Sequence, residues 1–596
     1  MLMSDTPVAA AVSFAEFPAV TTAEWQARLA RDLKGQDPAA LRWPLPDGFT
    51  LEPFYHREAL AALGGPPPPL PHPVAPWLNV PALPVSAGSH GRPQIDQAAA
   101  ALASGATGIH FVLAEGAAFD VPYLAEQLPL GHTFVGYTVA EEPDALLSQL
   151  VAAAPGTALQ GFLRFAPGEA PEGAELACHH AALRRCVLLA MAMPDFRALA
   201  VNGTFFGNRG ATATQQIAFS LSTAAALLAG LPNAQVSPAQ VAAALHLHLV
   251  VGPSYFPEMA KLRAMRRLWA TLLHGFGLPA ALNADLRIHA ATATWTQTTL
   301  DPHTNLLRHT TEAMSAVLGG ADSLSVAPFD SLFAEANDFS ARLARNLSVL
   351  LREEAGLSRV QDPAAGSYYL ETLTDQLAQE AWALFQRLEA AGGLPQERGW
   401  MLERISAVAA DTFHRIASGQ QVVVGTNRFQ NPAERFSFHP KELLRSADFD
   451  VTRAAYPTEV LRLATALHFE RREKKSKRAA VVLLGFNTNK VILDSFMRLL
   501  LPHERPEMAA SHPEGTLSLL YSSPEEATLM YATPEQFQRF ARFIHQIPTE
   551  KQHFIPPVLL SSDLPTLQEA VRVFGFHEMR VQGYTTEEVL ARLQGR

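Results

Sequence analysis

The sequence predicts an α/β protein whose main unit is a parallel barrel of eight strands and eight helices. Short apolar segments of strand length recur from about residue 77 onward, and segments with helical periodicity separate them. Strands that alternate with helices pair in parallel, and eight such repeats over roughly 250 residues fit a closed (β/α) barrel. An open doubly wound sheet is the alternative, but it more often shows a glycine-rich phosphate loop after its first strand, and this sequence has none there.

The length and composition of the chain limit what it can be. A chain of 596 residues is too long for one core, so two or more domains are expected. The content of 48% hydrophobic and 17% charged residues is typical of a globular protein, and a net charge of −10 argues against nucleic-acid binding. The two cysteines, Cys178 and Cys186, indicate a reducing cytoplasm, since they cannot form a disulfide framework. The chain shows no signal-peptide pattern and no apolar run of membrane-spanning length.

Residues 1–75 are predicted to form an N-terminal arm. The arm contains aromatic residues such as Trp25 and Trp43, but it has too little apolar sequence for a core of its own. These aromatic side chains are therefore expected to pack against another domain or wrap around a partner chain. A proline-rich stretch from Pro66 to Pro73 ends the arm, and such stretches are typical of stiff, extended linkers.

Residues 76–356 are assigned to the barrel. Amphipathic helices are predicted between its strands, for example over Ala213–Leu228 and Glu258–Leu273. The eight strands are predicted at Trp77–Leu83, Gly108–Leu113, His132–Thr138, Leu159–Phe165, Ala198–Phe205, His246–Gly252, Leu286–Trp295 and Asp322–Pro328.

The rest of the chain is predicted to contain a helical linker and a smaller domain. The linker covers residues 357–477 and ends in a basic run from Arg471 to Arg478, for which a solvated hinge is favoured over a phosphate site. Residues 478–596 are assigned to a second α/β domain. Its strands are predicted at Ala479–Gly485, Thr516–Ser522, Pro556–Ser561 and Glu578–Gln582.

Two histidine-bearing segments were weighed as ligand sites. Cys178, His179, His180 and Cys186 fall in one helical stretch with no standard zinc spacing, which favours a packed helix over a metal site. His246 and His248 lie on one face of the sixth strand, where polar packing inside the barrel is favoured over a ligand channel. The sequence has no P-loop, His-Glu-x-x-His or Gly-x-Ser-x-Gly motif.

Five motifs, in the same order, resemble those of the methylmalonyl-CoA mutase family. Their roles are mostly architectural; Glu258 and Lys261, for example, are spaced to pair on one helix face. The resemblance implies a TIM barrel followed by a flavodoxin-like, cobalamin-binding type of domain. The five segments are Gly210–Thr214, Glu258–Ala264, Asp301–Arg308, Phe339–Asn346 and Asp362–Tyr369.

The chain departs from the family where its catalytic subunit carries chemistry. The family's Tyr-His pair after strand five is Thr204-Phe205 here, and neither side chain offers a ring hydroxyl or an imidazole. In strand seven, Arg287 to Ala293, alanines replace the family's Ser, Gln and second Ser; after strand eight, Gly319 to Ala327 replaces Gly-Gly-Thr-Gln-Ser-Leu-His-Thr-Asn. The Arg-Gly-Thr-Tyr and Tyr-Ala-Thr-Met-Tyr segments are missing. Alanines and Phe205 suit a filled, dry barrel interior.

The resemblance and the departures together imply a non-catalytic subunit. No Asp-x-His-x-x-Gly loop, whose histidine ligates cobalt in the family, follows Arg471, so the second domain is expected to be degenerate. The chain is expected to have no catalytic, cofactor-binding or metal-binding residues. It would be the small subunit of a cytoplasmic, heterodimeric isomerase of propionate metabolism, whose large partner holds adenosylcobalamin and interconverts (R)-methylmalonyl-CoA and succinyl-CoA. Two alternatives stay open: a divergent acyl-CoA mutase that needs a separate cobalamin protein, and a module that senses an acyl-CoA or cobalamin.

Overall fold

The computed structural model describes most of the chain up to residue 429. The proline-rich stretch, the basic run and the strands predicted at 516–522 and 578–582 lie outside the described residues. Farther along, the backbone of three short strands is described within 482–559. The described residues are 20–65, 76–166, 173–334, 337–417, 420–429, 438, 453–456 and 459.

The described parts of the chain contain fifteen helices and fifteen strands, besides two short 3-10 turns. The helices are α1 (Thr22–Asp32), α2 (Arg57–Ala62), α3 (Arg92–Ala103), α4 (Val121–Gln127), α5 (Pro143–Ala153), α6 (Gly173–Ala190), α7 (Thr204–Gly207), α8 (Ala213–Gly230), α9 (Pro238–Ala244), α10 (Tyr255–Gly275), α11 (Ala281–Ala284), α12 (Thr304–Leu318), α13 (Asp338–Glu353), α14 (Tyr368–Ala390) and α15 (Leu394–Ala417). The strands are β1 (Trp43–Pro44), β2 (Thr50–Leu51), β3 (Leu78–Asn79), β4 (Ala82–Val85), β5 (Gly108–Leu113), β6 (Phe134–Val139), β7 (Gln160–Phe165), β8 (Phe196–Arg197), β9 (Leu199–Asn202), β10 (Leu245–Val251), β11 (Ile288–Thr292), β12 (Ser323–Ser325), β13 (Val482–Gly485), β14 (Thr528–Tyr531) and β15 (Val558–Leu559).

Two five-stranded parallel sheets form the centre of the protein. One has the strand order β4-β5-β6-β7-β8, and the other has the order β3-β12-β11-β10-β9. Only Val80 and Pro81 separate β3 from β4, and only Ala198 separates β8 from β9. Two stretches of chain therefore serve both sheets, each pairing with one sheet first and with the other next. The prediction of a mixed α/β fold with parallel sheets is confirmed.

Burial on both faces explains why the central strands are so apolar. Every residue of β10 is buried, as expected for parallel strands that are covered on both sides. Helix α8 lies in the main hydrophobic cluster and begins at a capping box formed by Thr212 and Gln215. Helix α10 packs against α8, α12 and α14, so it links the sheet layer to the helices that follow.

The predicted fifth strand ends earlier than its sequence indicated. The strand was predicted to reach Phe205, but β9 stops at Asn202 and the chain enters the short helix α7 at Thr204. Gly203 makes the turn: a Cβ there would lie 2.6 Å from Leu249 Cδ2, and its carbonyl accepts hydrogen bonds from Phe206 N and Gly207 N. The seventh strand likewise ends at Thr292 rather than at Trp295. The run Gly108–Leu113 has the predicted bounds.

The described part of the N-terminal arm packs on the main hydrophobic cluster and on helix α8 of the same chain. Leu45 and Leu51 are buried in the main hydrophobic cluster. Asp47 Oδ1 accepts a hydrogen bond of 2.7 Å from Thr214 N, in the first turn of α8. The outer face of the arm keeps Trp43 and Phe54 exposed, at 47% and 49% of their surface.

The region after the second sheet is helical as predicted, through α13, α14 and α15. Near its end, the buried Arg453 donates to Gln297 O and to Glu459, which ties residues 453–459 to the turn after β11. Strands β14, β13 and β15 form a parallel sheet in that order; β13 and β15 were predicted, and β14 was not. Among the described residues, no helix is long and apolar enough to span a membrane.

Candidate functional site

Polar side chains gather at the carboxyl ends of the central strands. Thr138 lies near the end of β6, Arg164 near the end of β7, and Asn202 at the end of β9. Thr204 follows in α7. Because ligands bind at this end in parallel α/β folds, it is the first place to look for a site.

Nearer the amino ends of the strands, a cluster of five rings fills the space between the two sheets. The ring of Phe162 on β7 lies 5.0 Å from that of His110 on β5 and 4.6 Å from that of His248 on β10, measured between centroids. His246 on β10 and His289 on β11 complete the cluster, at 5.0 and 5.1 Å from Phe162. All five side chains are buried. The two sheets thus face each other across a packed interior.

Hydrogen bonds fix the proton positions of the two histidines on β10. His246 Nδ1 lies 2.8 Å from Leu199 O, and a carbonyl can only accept, so this nitrogen carries the proton. His246 Nε2 must then accept from His248 Nε2, at 2.7 Å. The remaining nitrogen, His248 Nδ1, is an unprotonated acceptor that is buried without a partner. The prediction that both histidines share one face of the strand is confirmed.

Serine hydroxyls hold the histidine of β11 in the same way. Ser325 Oγ donates to Val80 O, so it accepts from His289 Nε2 at 3.1 Å. His289 Nδ1 is left to accept from Ser323 Oγ at 2.8 Å. Both ring nitrogens are therefore satisfied by the protein.

Burial keeps the whole cluster uncharged at neutral pH. Burial, with a smaller contribution from the nearby charge of Arg164, lowers the pKa of His289 to about 3. Burial also holds the pKa values of His110, His246 and His248 well below the ordinary value for histidine, with smaller contributions from neighbouring cationic groups. Neutral, buried imidazoles that pack against one another serve packing rather than proton transfer.

A glycine opposite Phe162 makes room for this interior. A Cβ at Gly136 on β6 would lie 2.3 Å from Phe162 Cζ, far inside van der Waals contact. The Phe162 ring therefore fills the space that a side chain at position 136 would need, as in cores that pair large with small residues on neighbouring strands.

Above the rings, Arg164 organises the polar groups at the strand ends. Its Nε donates to Thr138 Oγ1 at 2.9 Å, and the same hydroxyl is hydrogen-bonded to His110 Nε2 at 2.7 Å. Its Nη1 donates to Thr204 Oγ1 at 3.1 Å, and Thr204 in turn donates to Asn202 Oδ1. Burial lowers the pKa of Arg164 to about 10, so the guanidinium stays charged at neutral pH.

Thr204 and Phe205, singled out in the sequence, point to different places. Thr204 belongs to the Arg164 network, whereas Phe205 lies outside the ring cluster. The Phe205 ring packs 5.4 Å from that of Phe206 and lies under the guanidinium groups of Arg209, at 3.7 Å, and Arg398, at 5.9 Å. The expectation that Phe205 fills the interior is thus corrected, since Phe162 and the histidines do so.

The other sequence-predicted residues lie away from this region. Cys178, His179, His180 and Cys186 are all in α6, where Cys178 is exposed, Cys186 is buried and the His179 ring packs on Phe165. Within the part of the chain that the structure describes, no three His, Cys, Asp or Glu side chains are grouped to hold a metal. Glu258 and Lys261 form the predicted pair on α10, and it is buried.

Sequence reasoning missed Phe162 and Arg164, although a signal was present. Glycine is unusual inside a strand, and Gly136 and Gly161 on adjacent strands indicated close packing there. An arginine at the end of an apolar strand also indicated a polar site at that edge. Only the register of β6 against β7, which brings Gly136 opposite Phe162, joins these signals.

A family comparison covers part of the chain around this interior. Residues 182–459 match the family model described as methylmalonyl-CoA mutase. Over this segment the chain is similar to methylmalonyl-CoA mutases. The segment includes β9 to β12, three of the four histidines and the helices α7 to α15.

Two mutase subunits from one organism match this chain at the same level of identity. A protein named methylmalonyl-CoA mutase small subunit, from Porphyromonas gingivalis, is 37% identical over 304 residues, which cover 49% of this chain and 48% of the relative. A large subunit from the same organism is 37% identical over 244 residues, covering 41% and 34%. The chain thus spans about half, or less, of the length of these curated relatives. A dihydropteroate synthase from Vibrio fischeri ES114 is 14% identical with a TM-score of 0.27, over 47% of this chain and 95% of that one; no argument follows from so weak a likeness.

Proposed function

We propose that this chain is the non-catalytic, structural subunit of an adenosylcobalamin-dependent methylmalonyl-CoA mutase. A large partner subunit would interconvert (R)-methylmalonyl-CoA and succinyl-CoA in the cytoplasm. The observation that carries the proposal is the filled interior: the rings of Phe162 and four neutral histidines are buried and pack against one another between the sheets. A substrate cannot enter this volume without displacing them.

The architecture is proposed to be one closed eight-stranded barrel. The stretches β3–β4 and β8–β9 each pair with both sheets, and the rings of β5 and β7 contact those of β10 and β11. The domain limits proposed from the sequence are 1–75 for the arm, 76–356 for the barrel, 357–477 for the linker and 478–596 for a degenerate cobalamin-type domain. The exposed Trp43 and Phe54 support an arm that also contacts a partner.

The interior imidazoles do not fit a cobalamin ligand. A cobalt ligand needs an accessible nitrogen, whereas His110, His246, His248 and His289 are buried in the ring cluster. Adenosylcobalamin, which supplies radical chemistry in such mutases, is therefore assigned to the partner subunit in this proposal.

The strand-five end also lacks catalytic groups. Thr204 is held by Arg164 and Asn202, and Phe205 is covered by two arginines, so neither side chain offers acid–base chemistry. Restoring Thr204→Tyr and Phe205→His together is expected to produce no turnover by the chain alone. Turnover by this double variant, with a cobalamin protein added, would favour the divergent acyl-CoA mutase instead.

Purification of the tagged chain from its native lysate tests the proposal. An equimolar large mutase subunit that carries cobalamin is expected to co-purify. The matched control is the same chain without residues 20–65, which should lose the partner if the arm contributes to the interface. A chain that purifies without a mutase partner and is active by itself would overturn the proposal, and one that only binds an acyl-CoA or cobalamin would favour a sensing module.

A further inference from the structure

The guanidinium of Arg164 has one donor edge that the described residues leave free. Its Nε and Nη1 are bonded to threonine hydroxyls, but Nη2 has no hydrogen-bond partner among the described residues. No Asp or Glu in the described parts of the chain lies within ion-pair distance of Arg164. A half-buried cation without a counter-ion is only partly compensated by solvent, so a bound anion would stabilise it.

A second free donor lies beside it. Thr204 Oγ1 accepts from Arg164 and donates to Asn202 Oδ1, so the Asn202 amide oxygen faces Thr204. The amide nitrogen, Asn202 Nδ2, then faces away, and it has no partner among the described residues. Arg164, Asn202 and Thr204 are each half-buried, so their free edges remain accessible.

No carboxylate among the described neighbouring groups competes with an anion for Arg164. The Thr204 hydroxyl donates to Asn202, and the Thr138 hydroxyl is hydrogen-bonded to His110. The histidines below are neutral, and their nitrogens are turned into the interior. The strand ends thus present donors and positive charge without a carboxylate, which is the chemistry that recognises oxyanions.

We propose that Arg164 and Asn202 form a binding site for one small oxyanion, a carboxylate or phosphate group, at the carboxyl ends of β7 and β9. The anion accepts from Arg164 Nη2 and from Asn202 Nδ2, while the two threonines hold the guanidinium in place. The site goes beyond a structural role and does not depend on it, since every group belongs to this chain. The packed rings beneath it limit the ligand to the mouth of the sheet pair.

Calorimetric titration of the full chain with acetate and with inorganic phosphate, in chloride-free buffer, tests the site. One saturable site is expected, and Arg164→Gln should weaken binding at least tenfold, or about 1.4 kcal/mol. Arg164→Lys should retain only part of the affinity, because an ammonium lacks the planar fork. The matched control Arg342→Gln removes an exposed arginine with the same charge change and should bind as the wild type does.

A second variant covers the case in which Arg164→Gln fails to fold. Asn202→Asp keeps the oxygen that Thr204 needs but places a negative charge beside Arg164, so it should abolish anion binding while the fold is kept. Binding of acetate alone, or of phosphate alone, would support the site and identify the group it prefers. Absence of saturable binding by the wild type, or unchanged binding by a folded Asn202→Asp chain, would overturn the proposal.

Discussion

At Gly136 the identity of one residue decides whether the interior can close. The Phe162 ring occupies the position that a Cβ of residue 136 would take. Because packed strands cannot move apart locally, even a methyl group there must displace the ring or the backbone.

Gly136→Ala is therefore expected to lower the free energy of unfolding by about 1–3 kcal/mol. Adding Phe162→Leu should recover part of the loss, since the smaller side chain vacates the shared space. Thermal or urea unfolding measures both effects. Gly275→Ala is the control, because a Cβ there meets no atom within 4 Å; equal effects at 136 and 275 would refute the packing account.

Glu312 on α12 is a buried carboxyl that folding keeps protonated. Burial raises its pKa to about 8; a hydrogen bond from Thr296 opposes the shift, and Glu258 contributes a smaller increase within it. A pKa that is higher in the folded chain than in the unfolded one stabilises the fold fully below about pH 4.5. This contribution is lost as pH rises toward about 8.

Glu312→Gln should remove this dependence, because the amide keeps the shape and never ionises. The wild type should lose up to about 1.4 kcal/mol of unfolding free energy per pH unit between pH 4.5 and 8 through this group. Relative to the wild type, the variant should gain stability as pH rises from 6 to 8.5, as measured by melting temperature. Glu380→Gln, on the exposed face of α14, is the control; a pH-independent difference would contradict the assignment.

At the scale of elements, α10 links the sheet layer to the helices that follow it. Arg263 pairs with Asp362 and Glu371, and Arg267 pairs with the second oxygen of Glu371 on α14. Arg266 reaches Asp322 just before β12. Such buried pairs fix which surfaces meet, because removing one partner leaves a buried charge uncompensated.

The contact between the arm and α8 depends on one carboxylate. Asp47→Ala should lower the free energy of unfolding by about 1 kcal/mol, since Thr214 N loses its acceptor and the start of α8 loses a favourable charge. Residues 20–65 should also become more sensitive to limited proteolysis. Asp37→Ala, which removes a bond within the arm only, should leave α8 unaffected; equal proteolysis of both variants would argue against the contact.

The sequence predicted elements better than it predicted their ends. Apolar runs such as Gly108–Leu113 predict their strands directly, because burial on both faces requires apolar residues along the whole length. The predicted end of β9 was wrong, because the chain turns at Gly203. The close approach of Leu249 to Gly203 is a contact between residues distant in sequence, which the local pattern does not show. Phe162 and Arg164 were missed for the same reason, because their roles depend on contacts with residues on β6, β9 and β10 that are distant in sequence.

At the scale of the whole molecule, the ring cluster couples stability to acid. Each of the four histidines has its pKa lowered by folding, so each stabilises the fold fully above about pH 6.5. That stability is lost as pH falls below this value, because the unfolded chain takes up protons that the folded chain refuses.

Melting temperature is therefore expected to fall steeply between pH 6.5 and 5, where most carboxylates remain ionised. Each of the four histidines changes the free energy of unfolding by at most about 1.4 kcal/mol per pH unit, and Glu312 makes one contribution of opposite sign. His110→Leu should reduce the slope, whereas His274→Leu, an exposed position, should not. A flat profile in this range would show that the cluster is charged or open.

The shared volume of Gly136 and Phe162 also restricts the paths that substitution can follow. A single substitution at either position is destabilising. A side chain at position 136 clashes with the Phe162 ring, and a small residue at position 162 leaves a cavity among the histidines. A larger residue at position 136 and a smaller one at position 162 are tolerated only together. During evolution, a single substitution at either position would therefore destabilise the fold, and the interior is not easily reopened one substitution at a time.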